Sequence, residues 1–297
     1  MTERNPKDSS QERVYRAIEA LVAGEDEAID LARAALLIAS IEYPDLDMAH
    51  YMAQLDALAR RVYDVLALPD PSTLPQLPAD IATLDVIKTI NQVLFVEEQF
   101  HGNHDDYYNS NNSLFNKVLD EHTGIPITLS LLYMEVAKRV GIRIEGIGLP
   151  FHFVVRCRLP DKIVYIDSFH QGRLLSEEEC REMVRHIART RLKVHSHWFE
   201  PVRHKQLLIR ILNNLKKVYT DNEDYIHALT ICDLLVLIAP QTITERRDRG
   251  VIHLQLKHYA PALHDLTAYV EQAPGAKDRY DMLNYIKAVR QIIAMMN

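Results

Sequence analysis

The sequence predicts an α+β protein: N-terminal helices, a helix-plus-antiparallel-sheet core, and an all-α C-terminal region of repeats. Two observations carry this. Between positions 126 and 169 a helix that is apolar on most sides gives way to three strand-like runs, the order of an α+β core. Beyond position 201 the pattern is helical again and matches itself at a constant offset of 34 residues. At 297 residues the chain is long enough for more than one domain. The boundaries expected are 1–95 for helices packed on the core, 96–200 for the core itself and 201–297 for the repeats.

The first segment reads as helices. Ser10 is placed to cap one whose Val14, Ile18, Leu21 and Val22 share a face, with Gly24 at its end. A second is expected from about 25 to 42, closed at Tyr43-Pro44-Asp45 because Pro44 disfavours helical backbone in the residue before it. A third carries Tyr51, Met52, Leu55, Leu58, Ala59 and Val62. Pro69, Pro71, Pro75 and Pro78 mark a loop, and a fourth helix holds Leu84, Ile87, Ile90, Val93 and Leu94. The run from Phe100 to Tyr108 is polar and turn-rich, hence a loop. Asn112 and Ser113 then lead into a short helix with Leu114, Phe115, Val118 and Leu119.

Pro126 suits a helical first turn and opens the central helix, which Gly141 ends. Glu135, Lys138 and Arg139 share one side of it, and the rest is broad apolar surface, so it should be buried. Strand-like runs follow at 143–148, 152–158 and 162–169, the last two flanking the turn Leu159-Pro160-Asp161. A hairpin centred on Pro160 and Asp161 pairs residues whose numbers sum to 321. That register sets Val154 against Asp167 and makes His152 a diagonal neighbour of Asp167 on the same face; a slip of one residue would separate them. In the C-terminal region Tyr225, Ala228 and Leu229 recur as Tyr259, Ala262 and Leu263, and Ala239-Pro240 recurs as Ala273-Pro274. Thirty-four residues is the tetratricopeptide period, and Gly250, 12 residues before Ala262, adds to that signature.

Composition narrows the function. With 47% apolar and 25% charged residues the chain can build a core and stay in solution. Its formal charge of −7 argues against a general nucleic-acid binder, and the basic residues of 181–193 follow acidic ones, as on a mixed-charge solvated helix. No apolar run reaches the roughly 18 residues of a membrane span, and the first dozen residues lack the apolar core of a secretory signal. Cys157, Cys180 and Cys232 are odd in number and far apart, matching neither a disulfide framework nor a zinc-ligand spacing. A cytoplasmic location is expected.

His152 and Asp167 together make the base half of a nucleophilic triad, an imidazole oriented by a carboxylate. The plainer reading is a half-buried histidine and a strand-end aspartate capping a turn. Here a resemblance enters. Gly124-Ile-Pro-Ile-Thr-Leu-Ser130, Val136-Ala-Lys-Arg-Val-Gly141, His152 and Ile166-Asp167-Ser-Phe resemble the transglutaminase-like, papain-like core. From about Ile41 to Ala273 the chain is similar to the bacterial SirB family, which joins that core to tetratricopeptide repeats; Tyr43-Pro-Asp-Leu-Asp47, Gly102-Asn103 and Asn112-Ser113 are further matches. The resemblance implies a cysteine nucleophile at the tip of the central helix, with His152 and Asp167 completing the triad. Counted back from Gly141, the nucleophile position falls on Pro126, which has neither a nucleophilic atom nor a backbone N–H.

Two hydroxyls are candidate substitutes. Ser130 lies about 40° around the helix from Pro126 and about 6 Å deeper, while Thr128 lies about 200° around. Neither gains from a helix N-terminus what a thiol gains, and Ser130 also fits as a small packed residue. Cys157 sits mid-strand, as a core thiol. The loop His101-x-x-His104-Asp105-Asp106 offers metal-ligand types on weak spacing, whereas Gly102, Asn103, Asp106 and Tyr107 are expected to shape the cleft beside the triad. No metal or cofactor is expected. The leading expectation is a cysteine-less, non-catalytic module that binds a protein or peptide through its cleft and repeats, with no nucleic acid and no membrane. The alternative is an amide-bond hydrolase or acyltransferase using Ser130 or Thr128 with His152 and Asp167.

Overall fold

The computed structural model describes residues 6–69, 78, 81–189 and 193–296, with side chains from residue 12 onward. Pro71 and Pro75 of the expected proline loop lie outside the described residues. The chain forms two compact units, 1–211 and 212–297.

The first unit opens with α1 (Pro6–Val22), α2 (Leu31–Ala39), α3 (Met48–Val65) and α4 (Thr83–Asn91), the last running on as a wider π turn over Gln92–Glu97. Two sequence expectations shift here. The first helix already includes Pro6, so Ser10 lies within it rather than capping its start. The second is shorter than 25–42: 26–28 form a separate 3-10 turn, and Asp30 caps α2 by accepting the Arg33 N–H at 3.0 Å. Next come β1 (His101–Gly102), α5 (Phe115–Glu121), β2 (Thr123–Gly124) and α6 (Pro126–Val140). In α6 every residue but Met134, Lys138 and Arg139 is buried. It packs against α2, α3 and α4 as well as β3 and β4, which is why its apolar surface is so broad.

The sheet holds β3 (Glu145–Ile147), β4 (Val154–Arg158), β5 (Ile163–Asp167) and β6 (Arg173–Leu175), antiparallel and in sequence order. Pairs such as Val155 with Ile166 and Cys157 with Val164 have the register expected of the Leu159-Pro160-Asp161 turn. The strands are shorter than the apolar runs that announced them, and His152 lies just ahead of β4. At the other edge of the sheet Val202 donates to the Gly146 carbonyl at 2.9 Å, so β3 is partly covered. α7 (Glu177–Ala188) follows, opened by a capping box in which Ser176 and Glu179 satisfy each other's backbone N–H. It packs Cys180 and Val184 into a cluster with Ile147, Leu149, Val154, Tyr165, Leu175 and Phe199. The chain then enters α8 (His204–Asp221), within which the boundary between the units falls.

In the second unit α9 (Tyr225–Ile238) and α11 (Tyr259–Gln272) are 14 residues each and start 34 residues apart. Between them runs α10 (Ile243–Gln255), and α12 (Arg279–Met296) closes the unit. Ala228 and Ala262 are fully buried, and each paired helix stops just before Pro240 or Pro274. Gly250 lets α10 lie directly on α11: a Cβ there would come within 2.9 Å of the Leu266 side chain. Charge also crosses the repeat. Arg249 grips both oxygens of buried Asp265, at 2.6 and 2.9 Å, and reaches Asp233 at 2.9 Å. Lys216 sits between Glu245 and Asp248, 2.7 Å from each.

Candidate functional site

Asp167 ends β5 and starts a 3-10 turn, Ser168–His170, by accepting the Phe169 and His170 N–H groups on Oδ1 at 3.2 and 3.3 Å. The same oxygen lies 3.0 Å from His152 Nε2, and Oδ2 lies 2.8 Å from His170 Nδ1. Burial alone would push this carboxyl up. The imidazole hydrogen bonds and the positive charge the rings can carry outweigh it, and hold Asp167 well below the usual carboxylate range. An ionised carboxylate only accepts, so His152 carries a proton on Nε2 and His170 one on Nδ1. His170 is in turn held above the usual histidine range, first by its bond to Asp167, with partial burial opposing. His152 and Asp167 are buried, while the His170 side chain is about half open at 48%.

The segment before β4 aims His152. Phe151 takes a left-handed turn (φ 62°) and is exposed, and the His152 N–H returns to the Leu149 carbonyl at 3.3 Å. Arg210 of α8 donates to the carbonyls of Leu149 and His152, 3.1 Å each, and lies over the Phe153 ring at 5.3 Å. A guanidinium thus fixes the backbone that presents the imidazole.

The loop after β1 forms the rim. β1 and β2 pair in parallel, His101 with Thr123 and Gly102 with Gly124. Gly102 is required here, since a Cβ would come within 2.5 Å of the Phe169 ring and 2.7 Å of its carbonyl. Asn103 receives the Asp106 N–H at 2.8 Å and donates to Asn112 at 3.1 Å; Asn112 donates to the carbonyls of Asp106 and Tyr107 at 2.7 and 3.2 Å. Asp106 itself accepts from Asn109 at 2.9 Å. Asn103 and Asp106 therefore brace the loop, while Tyr107 and His104 meet the Phe169 ring edge-on at 6.1 and 4.5 Å between centroids. His152 approaches the same ring at 6.1 Å.

At the tip of α6 Pro126 occupies the first turn, buried. The Thr128 hydroxyl is committed: it donates to the Asn112 carbonyl at 2.6 Å and accepts the Ile125 N–H at 3.2 Å. Ser130 is fully buried, and its Oγ has no hydrogen-bond partner. Neither hydroxyl is bonded to His152. The thiols are elsewhere: Cys157 Sγ faces the Arg143 carbonyl at 3.8 Å, and Cys180 lies in the apolar cluster under α7, where burial pushes it up to about 12. His101, His104 and Asp106 do not converge, because His101 is bonded to the Gln99 carbonyl and Thr123.

His170 is the residue that sequence reasoning missed. Its signal was an imidazole three residues beyond a strand-end aspartate, close enough across one tight turn to share the carboxylate.

A helix tip facing the turn after β5, a buried histidine–aspartate pair and a tandem helical repeat define a transglutaminase-like core joined to a tetratricopeptide region. Comparison with protein families agrees: residues 49–213 match the transglutaminase-like superfamily and residues 215–286 the tetratricopeptide repeat. The chain is 35% identical over 262 residues to a UPF0162 protein of Xylella fastidiosa, covering 86% of this chain and 88% of that one. A UPF0162 protein of Vibrio cholerae is 26% identical over 185 residues, covering 62% and 68%. F-box only protein 21 of Mus musculus is 35% identical over 139 residues, which are 44% of this chain and 21% of that protein. The chain belongs to the UPF0162 family, the SirB-type branch of the transglutaminase-like superfamily.

Proposed function

We propose that this protein is a non-catalytic binding module, which engages a protein or peptide partner through the cleft beside His152 and through its repeats. One observation carries the reading: the helix tip that would bear a nucleophile begins with Pro126, Thr128 is spent on capping, and Ser130 is buried without a bond to the imidazole. General-base activation of a hydroxyl needs about 3 Å between the two groups. Repeats of paired helices are generally used for protein contact, and a groove of about 440 Å³ runs between α11 and α12, lined by Leu263, Thr267, Glu271 and Ile293 among others. The three free, buried thiols accord with a reducing, cytoplasmic setting. No described helix is long and apolar enough to cross a membrane.

Two measurements on the full-length protein test this. A fluorophosphonate probe is expected to leave Ser130 and Thr128 unlabelled; labelling that disappears in His152→Ala would establish the acyl-transfer reading instead. A photo-crosslinking residue at Thr267 is expected to trap a discrete protein in cells, while the same residue at exposed Lys162 does not. Equal trapping at both positions would remove the repeat groove from the proposal.

A further inference from the structure

In a thiol triad the carboxylate serves one imidazole. Asp167 serves two, one per oxygen, and the second imidazole opens to solvent. We propose that His152, Asp167 and His170 form a binding site for one divalent cation of the zinc class.

One donor atom from each of the three lies within 4.8 Å of the others, the one such group among the described residues. Two imidazole nitrogens and a carboxylate oxygen are the donor set of zinc sites that keep a further position open. The absence of thiolate disfavours soft monovalent copper. A single carboxylate among nitrogen donors disfavours calcium and magnesium, which take oxygen ligands. The platform is already fixed. Asp167 is oriented by the N–H groups of Phe169 and His170, and the backbone of His152 by Arg210. Such outer contacts hold ligands in place before a metal arrives.

Access follows from burial: the His152 and Asp167 side chains are 4% and 2% exposed, while His170 at 48% gives a way in. The proton balance is simple. Each imidazole gives up the proton facing the carboxylate; a neutral ring takes one back at its other nitrogen, and a doubly protonated His170 releases one to solvent. The carboxylate offsets one of the two positive charges. His104, 5.6 Å from His170 between ring centroids, stands at the rim of this site.

The inference does not depend on partner binding, since it is read from metal titration alone. Full-length protein stripped with EDTA would be titrated with Zn²⁺ against a chromophoric chelator, and separately with Co²⁺ by visible absorption. The expected result is one tightly bound equivalent, with affinity lowered about tenfold or more in His170→Ala and in Asp167→Asn, and a Co²⁺ band lost in His170→Ala. Thermal melts of both variants check folding; if Asp167→Asn does not fold, the half-exposed His170 decides the matter alone. Absence of stoichiometric binding would overturn the proposal. So would tight binding with affinity and Co²⁺ spectrum unchanged in the variants, which would assign the metal to other histidines such as the His195 and His197 pair.

Discussion

A methyl group at position 102 would have nowhere to go. The Phe169 ring and carbonyl both lie closer to its ideal position than any real Cβ tolerates, and one of them is backbone. Gly102→Ala must therefore push Phe169 off its seat, and with it the turn that carries Asp167 and His170. Overpacking of this kind costs about 1–3 kcal/mol. Gly102→Ala is expected to melt several degrees below the parent in a calorimetric scan, and an unchanged melting temperature would show that the ring has room to move. The register that joins His152 to Asp167 was legible in the sequence because one tight turn, Leu159-Pro160-Asp161, fixes it. His170 left only its three-residue spacing from Asp167 as a signal and was passed over, because its role depends on how the chain bends after β5, and that bend is fixed by the carboxylate itself.

Elements were legible where one physical cause dominated. α6 could be read from an apolar surface too broad for a half-exposed helix, and α9 and α11 from a period held over several residue types. β6 went unread because three residues, part exposed, leave no alternation to see. α2 was misjudged in length because acidic residues before a capping Asp30 look like more helix. The ion network inside the repeats was also invisible, since Arg249 and Asp265 lie on different helices. Beside that network His253 is held below the usual histidine range, by burial first, with Arg249 and His258 adding to it and Asp233 and Asp265 opposing. At this ring the unfolded chain binds more proton than the folded one, so the contribution of His253 to stability rises with pH through the window below about 6.5 and is lost as the solution is acidified. His253→Gln is expected to flatten the dependence of melting temperature on pH between about 5 and 7; an unaltered slope would place its origin elsewhere.

At the scale of the whole molecule each unit carries its own buried thiol. Cys180 belongs to the first and Cys232 to the second, both less than 1% exposed, and burial pushes each up to about 12. Thiol reactivity needs both thiolate and access. Ellman's reagent at pH 8 is expected to leave both untouched in native protein and to titrate all three cysteines in denaturant. Mass mapping of partly labelled samples along a urea series then tells which unit opens first. Rapid labelling of either thiol without denaturant would contradict the burial described. The loop from 103 to 112, which composition alone marks as soft, behaves otherwise. Its asparagines form a lattice anchored to the cap of α6 and to β2, so the tyrosine and histidine at its crest are held ready-made. Whatever settles against them meets a surface whose disorder was surrendered when the chain folded, and association there loses correspondingly little entropy.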